Sequence, residues 1–130
     1  MRRSALLALL FVAIAACGDS ADPTVVFGEG TIPPAIPDDF PVPADAVIGA
    51  TLIDTVNTKS EFEFRTATDL EALIQNLSLG LVDAGFVVDN SSGNTLQWSL
   101  SFRRGSLEGS VQLRALEDAV SQGAVRVNDA

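Results

Sequence analysis

The sequence predicts an α+β domain, one helix packed on a twisted antiparallel sheet, with elements in the order β-β-α-β-β-β and a last strand that can close the chain. Three observations carry this. Ser60–Thr66, Thr95–Arg103 and Leu107–Ala115 each alternate apolar and polar residues, the period of half-buried strands. Only one stretch, Leu70 to Ala84, carries apolar residues at helical spacing. Short segments rich in Asn, Ser and Gly separate these runs, at Asn57–Lys59, Asn90–Asn94 and Arg104–Ser106.

The chain of 130 residues begins outside that domain. Met1-Arg2-Arg3 is a cationic start, and Ala5 to Ala16 is an unbroken apolar run ending in small residues. Charged, apolar, then small is the layout of a secretory signal. The run is too short to span a bilayer, which takes ~20 apolar residues. Residues 1–16 are therefore expected to be a cleaved signal peptide. The sole cysteine, Cys17, falls where that signal ends and has no disulfide partner in the chain.

Ile14-Ala15-Ala16-Cys17 resembles the lipobox of bacterial lipoproteins, an aliphatic residue and two small residues before a cysteine. The resemblance implies that the Cys17 thiol takes a diacylglycerol, that the leader is cut before it, and that the new amine is acylated with a fatty acid such as palmitate. It implies a protein anchored to a bacterial cell membrane, facing the periplasm or the exterior, and on the outer membrane if the cell is Gram-negative. Several acyl chains make such an anchor stable, at about 0.8 kcal/mol per buried CH₂. Gly18 stands where an aspartate resembles an inner-membrane retention signal.

Residues 17–43 read as a tether. All six prolines lie there, among Gly, Asp, Ser and Thr. Proline fixes φ and removes a backbone donor, so neither helix nor sheet is expected through it. Val25-Val26-Phe27 is an apolar interruption able to dock elsewhere. The end of the segment, with Asp39-Phe40-Pro41, Pro43, Ala46 and Val47, resembles a DFP-x-P motif of small bacterial lipoproteins of uncharacterised function. That resemblance implies a strand pair, one helix and further strands to follow, and no activity. Phe40 is expected to plug one end of the core.

The domain is expected over residues 44–130. Val47–Val56 is rich in β-branched residues, with Ile48, Ala50, Leu52 and Val56 in one phase, and it forms a hairpin with Ser60–Thr66. Thr68-Asp69-Leu70-Glu71 has the spacing of a capping box, with Thr68 as N-cap. Leu70, Leu73, Ile74, Leu77, Leu81 and Ala84 form the buried stripe, and Gly85 suits the left-handed position that ends a helix. Gly80, at a cost of about 1 kcal/mol relative to Ala, marks close approach to the sheet or a frayed turn. Phe86–Asp89 is a short strand. In the next strand Leu96, Trp98, Leu100 and Phe102 point inward, and in the one after it Leu107, Val111 and Leu113. Leu116–Gly123 reads as a loop, and Ala124–Asn128 as a closing strand through Val125 and Val127.

Composition restricts function. The chain carries 8 basic and 17 acidic side chains and no histidine or tyrosine. Removing Arg2 and Arg3 with the signal makes the net charge −11. Such a chain is a poor nucleic-acid binder, because phosphate binding needs Lys and Arg. Anionic headgroups repel it, so the lipid on Cys17 must do the membrane holding. Without histidine, and with its one thiol spent on the anchor, it has no Ser-His-Asp or Cys-His catalysis of its own.

The expected function is a non-catalytic interaction module without cofactor or metal, its partner an envelope protein. The candidate surface is the polar sheet face: Glu61, Glu63, Arg65, Gln97, Ser99, Ser101, Arg103, Glu108, Gln112 and Arg114. It has no aromatic residue to stack on a sugar. A purely structural or spacing role is the alternative. Two others weigh less. One is a carboxylate-dependent hydrolase built on Asp38, Asp39 and Asp45 or on Glu61 and Glu63, ~7 Å apart on a strand. The other is calcium on the acidic tether, which lacks the Asp-x-Asp-x-Asp-Gly loop.

Overall fold

The computed structural model describes residues 22–129; the expected signal peptide 1–16 and Cys17 lie outside them. Eight elements follow one another: β1 (Val25–Glu29), β2 (Val47–Asp54), β3 (Lys59–Thr66), α1 (Leu70–Asp83), β4 (Val87–Gly93), β5 (Gln97–Arg104), β6 (Leu107–Ala115) and β7 (Ser121–Asp129). All seven strands join one antiparallel sheet in the order β1-β2-β3-β7-β6-β5-β4. The fold is α+β with one helix, as expected, but more sheet-dominated: seven strands form the sheet where the expected order held at most six. Two meanders, β1-β2-β3 and β4-β5-β6-β7, are joined by α1 crossing one face. The closing strand β7 is central, zipped between β3 and β6 along its whole length.

The expected tether is partly sheet. Val25–Glu29 pairs in full register with β2, from Val25 opposite Asp54 to Glu29 opposite Ala50. The prolines do not forbid this, because Pro23 and Pro33 flank the strand and none falls inside it. Residues 33–43 then fold over the domain: Pro33, Ile36 and Phe40 are buried, and one-turn hydrogen bonds run from Ile36 N–H to Pro33 O (3.0 Å) and Phe40 N–H to Pro37 O (3.0 Å). The core thus draws on residues before Ala44.

Each helix boundary has a local cause. Asp69, not Thr68, is the N-cap: its Oδ1 accepts from Ala72 N–H at 2.8 Å. Thr68 instead turns toward Thr66, whose hydroxyl contacts it at 3.2 Å. At the other end Gly85 has φ +84°, with Phe86 N–H bonded to Leu81 O (2.9 Å) and Gly85 N–H to Val82 O (3.0 Å). That is the Schellman pattern, which satisfies the last helical carbonyls. Gly80 marks a close approach, but to Pro41 and not to the sheet; a Cβ there would lie 2.5 Å from Pro41 Cβ.

The inner face of the sheet holds the core. Phe62, Phe64, Leu100, Phe102, Val111, Leu113, Val125 and Val127 meet the helical stripe of Leu70, Leu73, Leu77 and Leu81, all buried. Two pairs set the fit: Phe102 stands opposite Gly109 and Phe64 opposite Gly123, and a Cβ on either glycine would strike the ring across from it. In β2 the single expected phase is broken. Ile48 faces Phe64 and Thr51 faces Phe62, so the two β2 residues between them, Gly49 and Ala50, stand opposite the single Glu63 of β3. This bulge moves Ala50 and Leu52 to the outer face and brings Thr51 inward. β4 also runs further than expected, through Asn90–Gly93, because these residues pair with Trp98–Ser101 despite their turn-like composition.

Candidate functional site

Two surfaces stand out: the outer face of the sheet, and a cleft at one end of the helix. Every polar residue expected on the outer face is there. The register aligns Glu61 with Arg126 and Ser110, Glu63 with Ala124 and Gln112, and Arg65 with Gln122 and Arg114. Across β5 the rows continue through Gln97, Ser99, Ser101 and Arg103, the last opposite Glu108. The sequence reading missed the contribution of β7, which places Gln122, Ala124, Arg126 and Asn128 in the middle of this face. It also missed Phe27, 79% exposed on β1 and opposite Leu52.

Much of this face is internally matched. Glu61 is held by Arg126 and, at 3.5 Å, by Lys59; Arg103 pairs with Asp89 at 3.0 Å; Gln112 Nε2 donates to Ser99 Oγ at 2.9 Å. Glu63 stands two residues from Glu61 with its side chain in solvent. The tether acids are dispersed. Asp39 takes both Arg104 Nη1 (2.7 Å) and Nη2 (3.1 Å), and this pairing holds its carboxyl below the usual range. Asp45 accepts from Thr66 Oγ1 (2.6 Å) and Ala67 N–H (2.9 Å), with the same direction of shift and Thr66 as the main cause. Among the described residues no three acidic, histidine or cysteine side chains are grouped to hold a metal ion.

The cleft lies at the opposite end of the core from Phe40. Its volume is about 700 Å³, within the ~300–1,000 Å³ usual for small-molecule sites. One wall is the first turns of α1, with Leu70 and Ile74. The other is the ends of β5 and β6 with the β6–β7 turn, giving Trp98, Ala115, Leu116 and Val120; Ser121 lies behind this lining, fully buried. Trp98 points inward as expected and packs against the core, but it is only half-buried and also lines this space. Its Nε1 donates to Ser91 Oγ at 2.9 Å, which fixes the indole.

Two features of the cleft are costly to the fold. Ser121 is fully buried, and its Oγ has no hydrogen-bond partner among the described residues. The β6–β7 turn, Glu117-Asp118-Ala119-Val120, has Asp118 at φ 60° and Ala119 at φ 59°, closed by Val120 N–H to Glu117 O at 3.3 Å. Two consecutive left-handed residues make a type I′ turn, which normally uses Asn-Gly. Ala119 has neither a glycine's freedom nor a side-chain acceptor, so the turn is strained.

No family model, curated protein or solved structure matches this chain.

Proposed function

We propose that the protein is a lipid-anchored binding module of a bacterial cell envelope, held by an acylated Cys17, and that its ligand site is the apolar cleft beside Trp98. The anchor rests on Ile14-Ala15-Ala16-Cys17 and the apolar run before it. The observation that carries the binding role is the cleft itself: an open apolar space of about 700 Å³ between helix and sheet. A domain selected only for stability or spacing gains by filling such a space. The module is non-catalytic and binds no nucleic acid. Its histidine-free composition supplies no base tuned near neutral pH, and its acidity repels phosphate.

Two measurements test this. Replacing Cys17 by Ala should abolish incorporation of labelled palmitate in the native host; retained labelling defeats the anchor. Trp98 is the one tryptophan of the chain, so its emission reports on the cleft alone. The full chain in phosphatidylcholine liposomes should show a saturable Trp98 shift with the uncharged probe 3-phenylpropanol. Ala115→Phe, which fills the cleft, should remove it. A non-saturable response, or one indifferent to Ala115→Phe, defeats the cleft as a site.

A second reading keeps the outer sheet face as a docking surface for an envelope protein. Phe27 favours it, as a large apolar side chain left in solvent beside the Glu61–Arg126 pair. Crosslinking from position 27 in intact cells should then capture one defined partner, and Phe27→Ser should abolish the capture.

A further inference from the structure

We infer that the cleft selects a hydrophobic cation, a molecule with an apolar body and one ammonium head group. The inference rests on the cleft being a ligand site and adds the chemistry of what enters it.

The walls set the body of the ligand. Leu70, Ile74, Trp98 and Val120 offer aliphatic and aromatic surface, with Trp98 the one aromatic ring lining the space among the described residues. The rim sets the charge. Among the described residues the only ionisable side chains lining the cleft are Asp69 and Glu71, with no Lys or Arg. The β6–β7 turn that borders it adds Glu117 and Asp118, both exposed. The start of α1 works in the other direction, since a helix N-terminus carries ~+0.5 of a charge. That positive end is already engaged: Asp69 Oδ1 takes Ala72 N–H, and Glu71 sits in the first turn. Two full carboxylates outweigh half a positive charge, so the mouth of the cleft is negative. A carboxylate or phosphate amphiphile would meet repulsion there, whereas an ammonium would be attracted.

The one lining aromatic favours the same head group, because the face of an indole attracts a nearby ammonium.

The test is a matched series at pH 7 on the full chain in phosphatidylcholine liposomes: 3-phenylpropylamine, 3-phenylpropanol and 3-phenylpropanoate, read by Trp98 emission. These probes share one body and differ in head-group charge. The ammonium should bind more tightly than the alcohol, and the alcohol more tightly than the carboxylate, with roughly 10-fold between the extremes at low salt. Glu71→Gln should narrow that gap, and 0.5 M NaCl should nearly close it. Glu71 is exposed and is not a cap, so the variant should fold normally. Equal or tighter binding of the carboxylate overturns the inference, as does a preference that survives both Glu71→Gln and high salt. If the alcohol binds saturably without that ranking, the cleft remains a site and only its charge selection fails. If none of the three binds, the site itself is wrong.

Discussion

The two ends of the space between helix and sheet are built differently. At the C-terminal end of α1 the gap is closed. Phe40 enters from the proline-rich segment and meets Phe86 at 6.2 Å, Phe102 at 5.5 Å and Phe62 at 6.4 Å. Arg104 lies 4.2 Å over the Phe86 ring, holds Asp39 by two hydrogen bonds, and donates to the Ala84 carbonyl at the end of the helix (2.7 Å). At the N-terminal end nothing comparable arrives among the described residues. Trp98 and Val120 stand at the border of an open cleft, over an unpaired serine hydroxyl and beside a strained turn. One end is sealed by a segment that composition marks as a spacer. The other is left open at some cost to stability, the pattern expected where binding and not stability sets the residues.

The sharpest way to break this comparison is to unplug the closed end. Phe40→Ala removes a buried ring from an aromatic cluster and should destabilise by about 3–5 kcal/mol, read by urea denaturation. A loss below 1 kcal/mol would mean that the segment merely lies on the surface. The next largest effect comes from the helix side of the same seal. Gly80→Ala places a methyl group against Pro41, where a Cβ would come within 2.5 Å. Helix propensity alone favours alanine by about 1 kcal/mol, whereas overpacking costs about 1–3 kcal/mol. A net loss of stability is expected, and a net gain would show that Pro41 yields easily.

The open end should respond with the opposite sign. Ala119→Gly relieves a left-handed alanine and should stabilise by about 1 kcal/mol. The Tm should rise while the Trp98 response to 3-phenylpropylamine keeps its amplitude. If stability falls, the turn is not strained and the contrast between the two ends loses one of its supports.

How far these ends are legible in the sequence follows from what periodicity can carry. The helical stripe and the alternation in β3, β5 and β6 report which side of an element is buried, and those assignments agree with the structure at Leu73, Phe62, Phe64, Leu100 and Val111. The plug role of Phe40 is readable because an isolated aromatic among prolines has little other use. β1 is not readable, since all five of its residues are exposed and a strand on a sheet edge needs no alternation. The β2 bulge is hidden because Gly49-Ala50 fits either phase. The full polar face needed the register of β7, whose outer residues are too mixed to mark a strand face. The cleft is the least legible feature. Trp98 shares its phase with Leu100 and Phe102, and only the third dimension shows that among the described residues no side chain arrives to cover it. The hints were local: Asp118-Ala119 where a tight turn prefers Asn-Gly, and a short apolar residue at Ala115.

The smallest effect is a difference in acid sensitivity that sharpens the contrast at the closed end. The Asp39 carboxyl is held below its ordinary value chiefly by its hydrogen bonds to Arg104. A group whose folded pKa is depressed stabilises the fold above its unfolded pKa, ~3.9, and loses that contribution as pH falls through the folded value. The Asp39–Arg104 pair should therefore add to stability at pH 6 and cease to do so in the acid range below about pH 4. Asp45 and Asp54 behave alike, held down chiefly by Thr66 and by Asn57 respectively, so the wild type weakens in acid for more than one reason. Comparison with Arg104→Met isolates the Asp39 share. The variant should be less stable than wild type at pH 6, and the gap should shrink between pH 4 and pH 2 as Asp39 protonates in the wild type. Chemical denaturation at each pH reads it. The part of the gap that remains in acid belongs to the Ala84 carbonyl and the Phe86 ring, which do not titrate. A gap constant across the whole range would mean that Arg104 seals this end through those two contacts alone and that the ion pair contributes nothing.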